Sequence, residues 1–331
     1  MPTRWSIPKA FLTIVSYCLL VTSAEAKEYK VYFLGGQSNM EGYGYIRDLP
    51  EELNASVKGV MIYQGNSAPD GAAIDGRGIW AELKPGHGAG FRSNGQTNFY
   101  SDRFGLELTF ARRLLALEPN SNIVIIKYSR AGTSLDSSAA RNFGSWEPDY
   151  NNGNGINQYD HFLATVNNAM SVDDIDGDGE SDVLTPAGIV WMQGESDAVH
   201  TPEIAERYEA HLKRLMDLFR AAFRTDDLPV VIGRISDSGQ NEHGKVWTYG
   251  EVVRNAQAEF VQKDGYAALI TATDNYSYSD PWHYDSEGYL DLGLRFAEEI
   301  VRLEGCSHLT SGNLNVYSVT KCKRTHSVKV E

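Results

Sequence analysis

The sequence predicts one α/β domain, with a doubly wound, mostly parallel sheet of five strands and helices on both of its faces. Two observations predict this class. Five short runs are continuously rich in Val, Ile and other apolar residues, as is typical of strands buried on both faces of a parallel sheet. Longer amphipathic segments separate these runs. The predicted strands cover residues 29–35, 122–128, 187–192, 229–235 and 267–271.

The segments between the strands carry helical signals. Apolar residues recur at spacings of three and four along each of them. Thr201-Pro202-Glu203 has the pattern of a helix start, with a capping Thr, a Pro at the first helical position and an acidic first turn. Residues 41–101 are rich in Gly and Asn, so we expect surface loops there. The predicted helices cover residues 102–117, 201–223, 246–262 and 288–303.

Composition and charge exclude several classes of protein. The 331 residues include 30 basic and 44 acidic side chains, which gives a net charge of −14 at pH 7. This sign disfavours nucleic acid and anionic membrane surfaces as partners. Three cysteines in a chain of this length exclude a disulfide-stapled scaffold.

The two ends of the chain differ from the predicted domain. Residues 1–26 have a basic start, an apolar stretch and the small-x-small sequence Ala24-Glu25-Ala26, which predicts a signal peptide cleaved after Ala26. We therefore expect a secreted or periplasmic protein, with an uncleaved anchor as the alternative. The catalytic domain is predicted over residues 27–305, with no membrane span in the mature chain.

Residues 306–331 form a C-terminal tail in this prediction. In an oxidising compartment Cys306 and Cys322 can pair there and close a loop worth about 3 kcal/mol. Two free thiols are the alternative.

Chemically useful residues follow the predicted strands, where ligands bind in such sheets. Ser38 lies in a glycine-flanked turn after the first strand, and Gly132 after the second can present an unobstructed backbone N–H. Gln193 follows the third strand and offers a side-chain amide. Asp280 and His283 lie three residues apart after the fifth, so one turn can hold a base and the carboxylate that orients it.

Four of these motifs together resemble the SGNH-type hydrolases, in particular the sialate O-acetylesterase-like branch that includes carbohydrate esterase family six, the acetylxylan esterases. The motifs are Gly36-Gln37-Ser38-Asn39-Met40, the Gly132 segment, Trp191-Met192-Gln193-Gly194-Glu195-Ser196-Asp197 and Asp280-Pro281-Trp282-His283. They occur in the order found in that family. Met192 departs from the family pattern, which often has His there.

The resemblance implies a flavodoxin-like strand order and a set of residue roles. Ser38 is then the nucleophile, His283 the base and Asp280 its orienting acid. The backbone N–H groups of Ser38 and Gly132 and the side chain of Gln193 form the implied oxyanion hole. No cofactor is required. Further candidates for contacts with substrate are Asn39, Glu195 and Trp282.

The predicted function is that of a secreted carbohydrate O-acetylesterase acting on an acetylated carbohydrate. The alternatives are a catalytically inactive carbohydrate-binding module on the same fold and a lipase or thioesterase of the SGNH type. A competing nucleophile is Ser196, since residues 194–198 approach the Gly-x-Ser-x-Gly pattern. Ala198 replaces its last glycine, which favours Ser38.

An acidic segment stands apart from these motifs. Residues 174–182 place carboxylates at positions 1, 3, 5 and 9 of a calcium loop, with glycine at position 6, but Thr185 stands where an EF-hand has Glu. The segment predicts a structural calcium site, with a solvated acidic loop as the alternative. The candidate ligands are Asp174, Asp176, Asp178 and Asp182.

Overall fold

The computed structural model describes residues 26–66, 73–151 and 156–311, with side chains as far as residue 305. Nearly all of the predicted signal peptide, the tail beyond residue 311 and the predicted Cys306–Cys322 disulfide lie outside these descriptions. Both predictions therefore stay predictions.

A seven-stranded sheet forms the centre of the described chain, and two short two-stranded ribbons accompany it. In chain order the strands are β1 (Glu28–Gly36), β2 (Gly44–Tyr45), β3 (Met61–Gln64), β4 (Trp80–Glu82), β5 (Arg92–Ser93), β6 (Asn98–Phe99), β7 (Arg103–Phe104), β8 (Asn122–Ser129), β9 (Val183–Met192), β10 (Val230–Gly233) and β11 (Ala267–Ile270).

The order in the large sheet is β11-β10-β9-β1-β8-β3-β4, and β2–β7 and β5–β6 are the ribbons. Neighbours in the large sheet are parallel except β3 and β4. The five predicted strands are β1, β8, β9, β10 and β11, and their order is the flavodoxin-like one. The α/β class is thus confirmed. β8 lies on one side of β1, whereas β9, β10 and β11 lie on the other, so the strand order reverses between β1 and β9.

The prediction of only five strands is wrong. β3 and β4 add two, and both lie in the region that was expected to form loops. β3 has four residues and β4 has three, so neither is long enough to give a clear periodic signal. β4 pairs antiparallel at the edge of the sheet, where its residues are half-buried or exposed.

Seven helices are described, of which five are longer than two turns. They are α1 (Ser38–Glu41), α2 (Glu107–Leu117), α3 (Gln158–Met170), α4 (Pro202–Glu206), α5 (Tyr208–Phe223), α6 (Gly250–Lys263) and α7 (Ser286–Ser311). α2 begins five residues later than predicted, because Arg103 and Phe104 pair with β2 instead. The predicted cap is present, since the Thr201 hydroxyl accepts the Ile204 N–H.

Consecutive residues of β1 contact helices on opposite faces of the sheet, as the pleat requires. Tyr32 packs edge-on against Phe110 of α2 and donates a hydrogen bond to Glu304 of α7. Phe33 packs against Phe162 of α3 and Phe219 of α5. Helices therefore cover both faces, and the apolar core lies on either side of β1.

A buried ion pair lies within this core. Lys127 of β8 and Glu107 of α2 are fully buried, with Nζ 2.8 Å from Oε2. The ammonium also donates to the backbone oxygens of Glu41 and His87. All three Lys127 hydrogens thus have acceptors, and the pair connects the sheet to α2, to the end of α1 and to the loop before β5.

We expect Lys127→Met to lower the free energy of unfolding by about 3–5 kcal/mol, because the Glu107 carboxylate would be left buried without a counter-charge. Urea unfolding followed by circular dichroism measures the change. The double variant Lys127→Met/Glu107→Met is the control and should recover part of the loss. Equal stability of Lys127→Met and the unmodified protein would contradict the prediction.

Candidate active site

Ser38 lies where β1 ends beside β9. Gly36 has φ of +149°, and a Cβ there would lie 2.0 Å from the Met192 carbonyl oxygen. The N–H of Gln37 donates to that oxygen at 2.9 Å. Only glycine allows this close approach of two backbones. The turn delivers Ser38, which is 6% exposed, to the first position of α1.

Asp280 and His283 form a hydrogen-bonded pair in the loop after β11. His283 Nδ1 lies 2.8 Å from Asp280 Oδ2, while Oδ1 accepts the backbone N–H groups of Trp282 and His283. Burial opposes ionisation of Asp280, but His283 and these N–H donors outweigh it and hold the pKa of Asp280 below its ordinary value. The carboxylate is therefore ionised at neutral pH, and Nε2 is the nitrogen available to act as a base.

The pKa of His283 is lowered from its ordinary value of 6.5. Burial is the largest cause, since it disfavours the imidazolium. The Asp280 carboxylate opposes the shift, and the positive charge of Arg103 adds to it. His283 is thus mostly neutral at pH 7, as a general base requires.

The side chain of Asn39 connects the serine turn to the histidine loop. Its Nδ2 donates to Glu195 Oε1 at 2.8 Å and to the Trp282 carbonyl at 3.2 Å. Its Oδ1 accepts the Tyr289 hydroxyl at 2.7 Å and the Tyr284 N–H at 3.4 Å. The residue after Ser38 is therefore bonded to the residues on both sides of His283.

Glu195 and Asp197 are buried behind this site. Burial raises the pKa of Glu195 to about 7, against the hydrogen bond from Asn39. Burial also raises the pKa of Asp197 to about 6, although it accepts the backbone N–H groups of Leu135 and Asp136. Both carboxyls therefore connect neighbouring loops, and contact of Glu195 with substrate stays a prediction.

Gln193 is fully buried, and its amide hydrogens point to acceptors. Nε2 donates to the Thr133 carbonyl at 3.1 Å and to Asp197 Oδ2 at 2.7 Å, while Oε1 accepts the Tyr208 hydroxyl at 3.1 Å. To serve an oxyanion, the amide would have to leave one of these partners. The role of Gln193 as a third oxyanion donor stays a prediction.

Gly132 has the left-handed conformation, with φ of +74°. A Cβ at this position would lie within 2.9 Å of three atoms of the Phe143 ring. Phe143 is 40% exposed, and the Arg141 guanidinium lies 5.1 Å from its ring centroid. The sequence did not single out Phe143 or Arg141, because only the turn that brings them to Gly132 relates them to the site.

Trp282 is 52% exposed, the largest exposed fraction among the large hydrophobic side chains of the described residues. Its ring centroid lies 6.4 Å from that of His283, with an angle of 65° between the planes. Trp282 therefore presents an exposed side chain next to His283, and its contact with substrate stays a prediction.

The acidic segment lies away from these residues in the chain, between α3 and β9. Oxygens of Asp174, Asp176 and Asp182 lie within 4.8 Å of one another. The Lys27 ammonium contacts Asp176 at 2.5 Å and also contacts Asp178. A cation is thus already supplied by the chain, so calcium binding here stays a prediction.

Calorimetry of the calcium-stripped protein tests calcium binding by this acidic segment. Heat released on calcium addition would support the site, and none at millimolar calcium would dismiss it.

Comparisons with known proteins agree with this fold. The model of the family "Carbohydrate esterase, sialic acid-specific acetylesterase" matches residues 28–302. None of the curated proteins matches the sequence. A solved structure from Arabidopsis thaliana has a TM-score of 0.59 and 18% identity, with 84% of this chain and 98% of that chain covered.

Two further solved structures have TM-scores of 0.56. One is described as a novel carbohydrate acetylesterase from Xanthomonas citri, with 17% identity over 83% of this chain and 57% of that chain. The other is NanS, with 15% identity over 84% of this chain and 98% of that chain. At these identities the likeness concerns the fold.

The fold is that of an α/β protein with a mostly parallel sheet, and the family match defines the class as a carbohydrate esterase. The chain belongs to the carbohydrate esterase, sialic acid-specific acetylesterase family. This confirms the resemblance to SGNH-type hydrolases of the sialate O-acetylesterase-like branch.

Within the described residues, no helix is both long and apolar enough to cross a membrane.

The pKa of His283 predicts the acidic limb of the pH–rate profile. Since the base must be neutral, kcat/KM should rise with pH through a pKa below 6.5. Arg103→Met removes a positive charge that disfavours the imidazolium, so the pKa of His283 should rise and the limb should move to higher pH. Steady-state hydrolysis of 4-nitrophenyl acetate across pH measures this.

Arg103→Lys is the control for this shift, since it keeps the charge and should leave the limb near its original position. A limb that stays in place in Arg103→Met, or that moves to lower pH, would be the contrary result.

Proposed function

We propose that this protein is an exported carbohydrate O-acetylesterase that removes acetyl groups from sugar hydroxyls through a Ser38 acyl-enzyme. The family supplies the reaction class and implies an acetylated carbohydrate as substrate. One observation carries the assignment of the residues: Asn39 bonds the serine turn to Trp282 and Tyr284, the two neighbours of His283. This contact supports the assignment of Ser38, rather than Ser196, as the nucleophile.

In the proposed reaction, Ser38 Oγ attacks the acetyl carbonyl carbon while His283 Nε2 takes the serine proton. Asp280 accepts a hydrogen bond from Nδ1–H and stabilises the imidazolium. The C–O bond to the sugar then breaks, and the imidazolium returns the proton to the departing sugar oxygen. Water, deprotonated by His283, then attacks the acyl carbon of the acyl-enzyme. The C–O bond to Ser38 breaks, the imidazolium returns the proton to Ser38 Oγ, and acetate leaves.

The tetrahedral oxyanion needs hydrogen-bond donors where its charge develops. Ser38 is the first residue of α1, so its N–H has no carbonyl partner within that helix. The N–H of Gly132 is the second proposed donor. Each such donor lowers the barrier by about 3 kcal/mol in comparable enzymes.

Trp282 supplies an apolar face on which a sugar ring can stack. We infer that neutral acetylated polysaccharide fragments are preferred, because the net charge of −14 disfavours the approach of anionic chains. O-acetylated sialic acid, which carries a carboxylate, is the alternative substrate.

Removal of the nucleophile tests the mechanism. Ser38→Ala should lower kcat for 4-nitrophenyl acetate by roughly four to six orders of magnitude, as the loss of a triad serine does elsewhere. Ser196→Ala is the matched control and should remain close to the unmodified enzyme. The reverse pattern would move the nucleophile to Ser196, and an inactive unmodified protein would favour the carbohydrate-binding module.

Substrate comparison tests the rest of the proposal. Acetyl esters should be cleaved faster than longer 4-nitrophenyl esters, and a preference for long acyl chains would indicate a lipase or thioesterase instead. Acetate release from acetylated xylan and from O-acetyl sialic acid separates the two sugar classes.

Export is checked by N-terminal sequencing of the mature protein, which should begin at Lys27.

A further inference from the structure

A tyrosine covers one face of the imidazole of His283. The rings of Tyr43 and His283 are stacked, with centroids 3.6 Å apart and planes within 4° of parallel. Trp282, the adjacent aromatic residue, lies farther away and at a steep angle. Asp280 holds the imidazole at its Nδ1 edge, whereas Tyr43 lies against its face.

These two contacts restrain different motions. The bond to Asp280 fixes Nδ1 but permits the ring to tilt about that hydrogen bond. Rotation about the Cβ–Cγ bond of histidine is otherwise broad. A ring in face contact blocks the rotation on that side, so the direction of Nε2 is fixed as well.

Tyr43 is itself held by its backbone. Its carbonyl oxygen accepts a hydrogen bond from Arg103 Nη1 at 2.6 Å. Tyr45 of β2 pairs with Arg103 of β7, whose guanidinium lies 3.5 Å from the centroid of the Tyr45 ring. The N–H of Tyr45 donates to the hydroxyl of Ser286, at the start of α7, at 3.0 Å. The β2–β7 ribbon is thus anchored to the helix that follows the histidine loop.

We propose that Tyr43 is a positioning residue for His283. Its ring keeps Nε2 directed for proton transfer and offers a π-face to the imidazolium that forms in the transition state. The inference rests on the proposed Ser38–His283 chemistry. The aromatic ring carries this role, and the phenolic hydroxyl takes no part in it.

Three variants test the role. Tyr43→Leu should lower kcat for 4-nitrophenyl acetate by about 10- to 100-fold, the loss expected when a reacting group is misplaced, with little change in KM because so small an ester needs no sugar contacts. Tyr43→Phe should retain kcat. Phe91→Leu removes a comparable stack on His87, with centroids 4.7 Å apart, and should also retain kcat. Should Tyr43→Leu fail to fold, as judged by circular dichroism, Tyr43→Met replaces it.

A second measurement does not depend on activity. In protein with ¹⁵N-labelled histidine, the Nδ1–H proton of His283 should give a far-downfield NMR signal, identified by its loss in Asp280→Asn. The signal should persist in Tyr43→Phe and broaden or vanish in Tyr43→Leu.

Persistence of the signal in Tyr43→Leu, or a kcat within about twofold of the unmodified enzyme where about 10-fold or more is expected, would overturn the positioning role. Failure of the proposed function has a different signature, since hydrolysis would then be independent of Ser38 while the NMR comparison still decides the role of Tyr43.

Discussion

The hydrogen bonds of the Asn39 side chain are the constraint on which the arrangement of the site depends. Its amide uses both donors and both acceptor directions on groups from three other segments, at Glu195, around His283 and at Tyr289. Asn39 is 1% exposed, so any bond left unmade costs about 1–3 kcal/mol. Displacement of one segment would break several of these bonds at once. The serine turn and the histidine loop therefore hold one relative position, although about 240 residues separate them in the chain.

Other buried polar groups near the site also have several hydrogen-bond partners each. The Lys127 ammonium has three acceptors, and the Asp197 carboxylate accepts from Leu135, Asp136 and Gln193. Each group alone would be costly to bury, and each is buried with its partners. Backbone groups of Glu41, His87, Leu135 and Asp136 are among their partners, whereas Phe33 of β1 packs against the rings of Phe162 and Phe219. The polar groups thus fix loops that the sheet itself does not constrain.

A feature could be predicted from the sequence when it depends on residues close together in the chain, and not when it depends on residues far apart. β1, β8, β9, β10 and β11 were predictable because each is a run of apolar residues whose pattern is local. Ser38, Asp280 and His283 were identified as candidates because each follows such a run or lies in a recognisable motif. β3 and β4 were missed because three or four residues carry too little pattern. The Tyr43 stack was not predictable, since it depends on residues 44–45 pairing with residues 103–104, and no local signal indicates that pairing.

Environment also separates the roles of two carboxyls of the site, those of Asp280 and Glu195. Asp280 accepts two backbone N–H groups and the imidazole, so its pKa lies below its ordinary value and it stays ionised. Glu195 has one side-chain donor, and its Oε2 is buried without a hydrogen-bond partner among the described residues, so burial raises its pKa to about 7. An acid that orients a base must carry its charge throughout turnover. Asp280 meets that requirement and Glu195 does not, although Glu195 accepts a hydrogen bond from Asn39 and Asp280 lies two residues before Trp282, whose carbonyl accepts another. The stable negative charge of the site is therefore the one on the histidine loop, and the contribution of Glu195 is to hold the Asn39 amide in place.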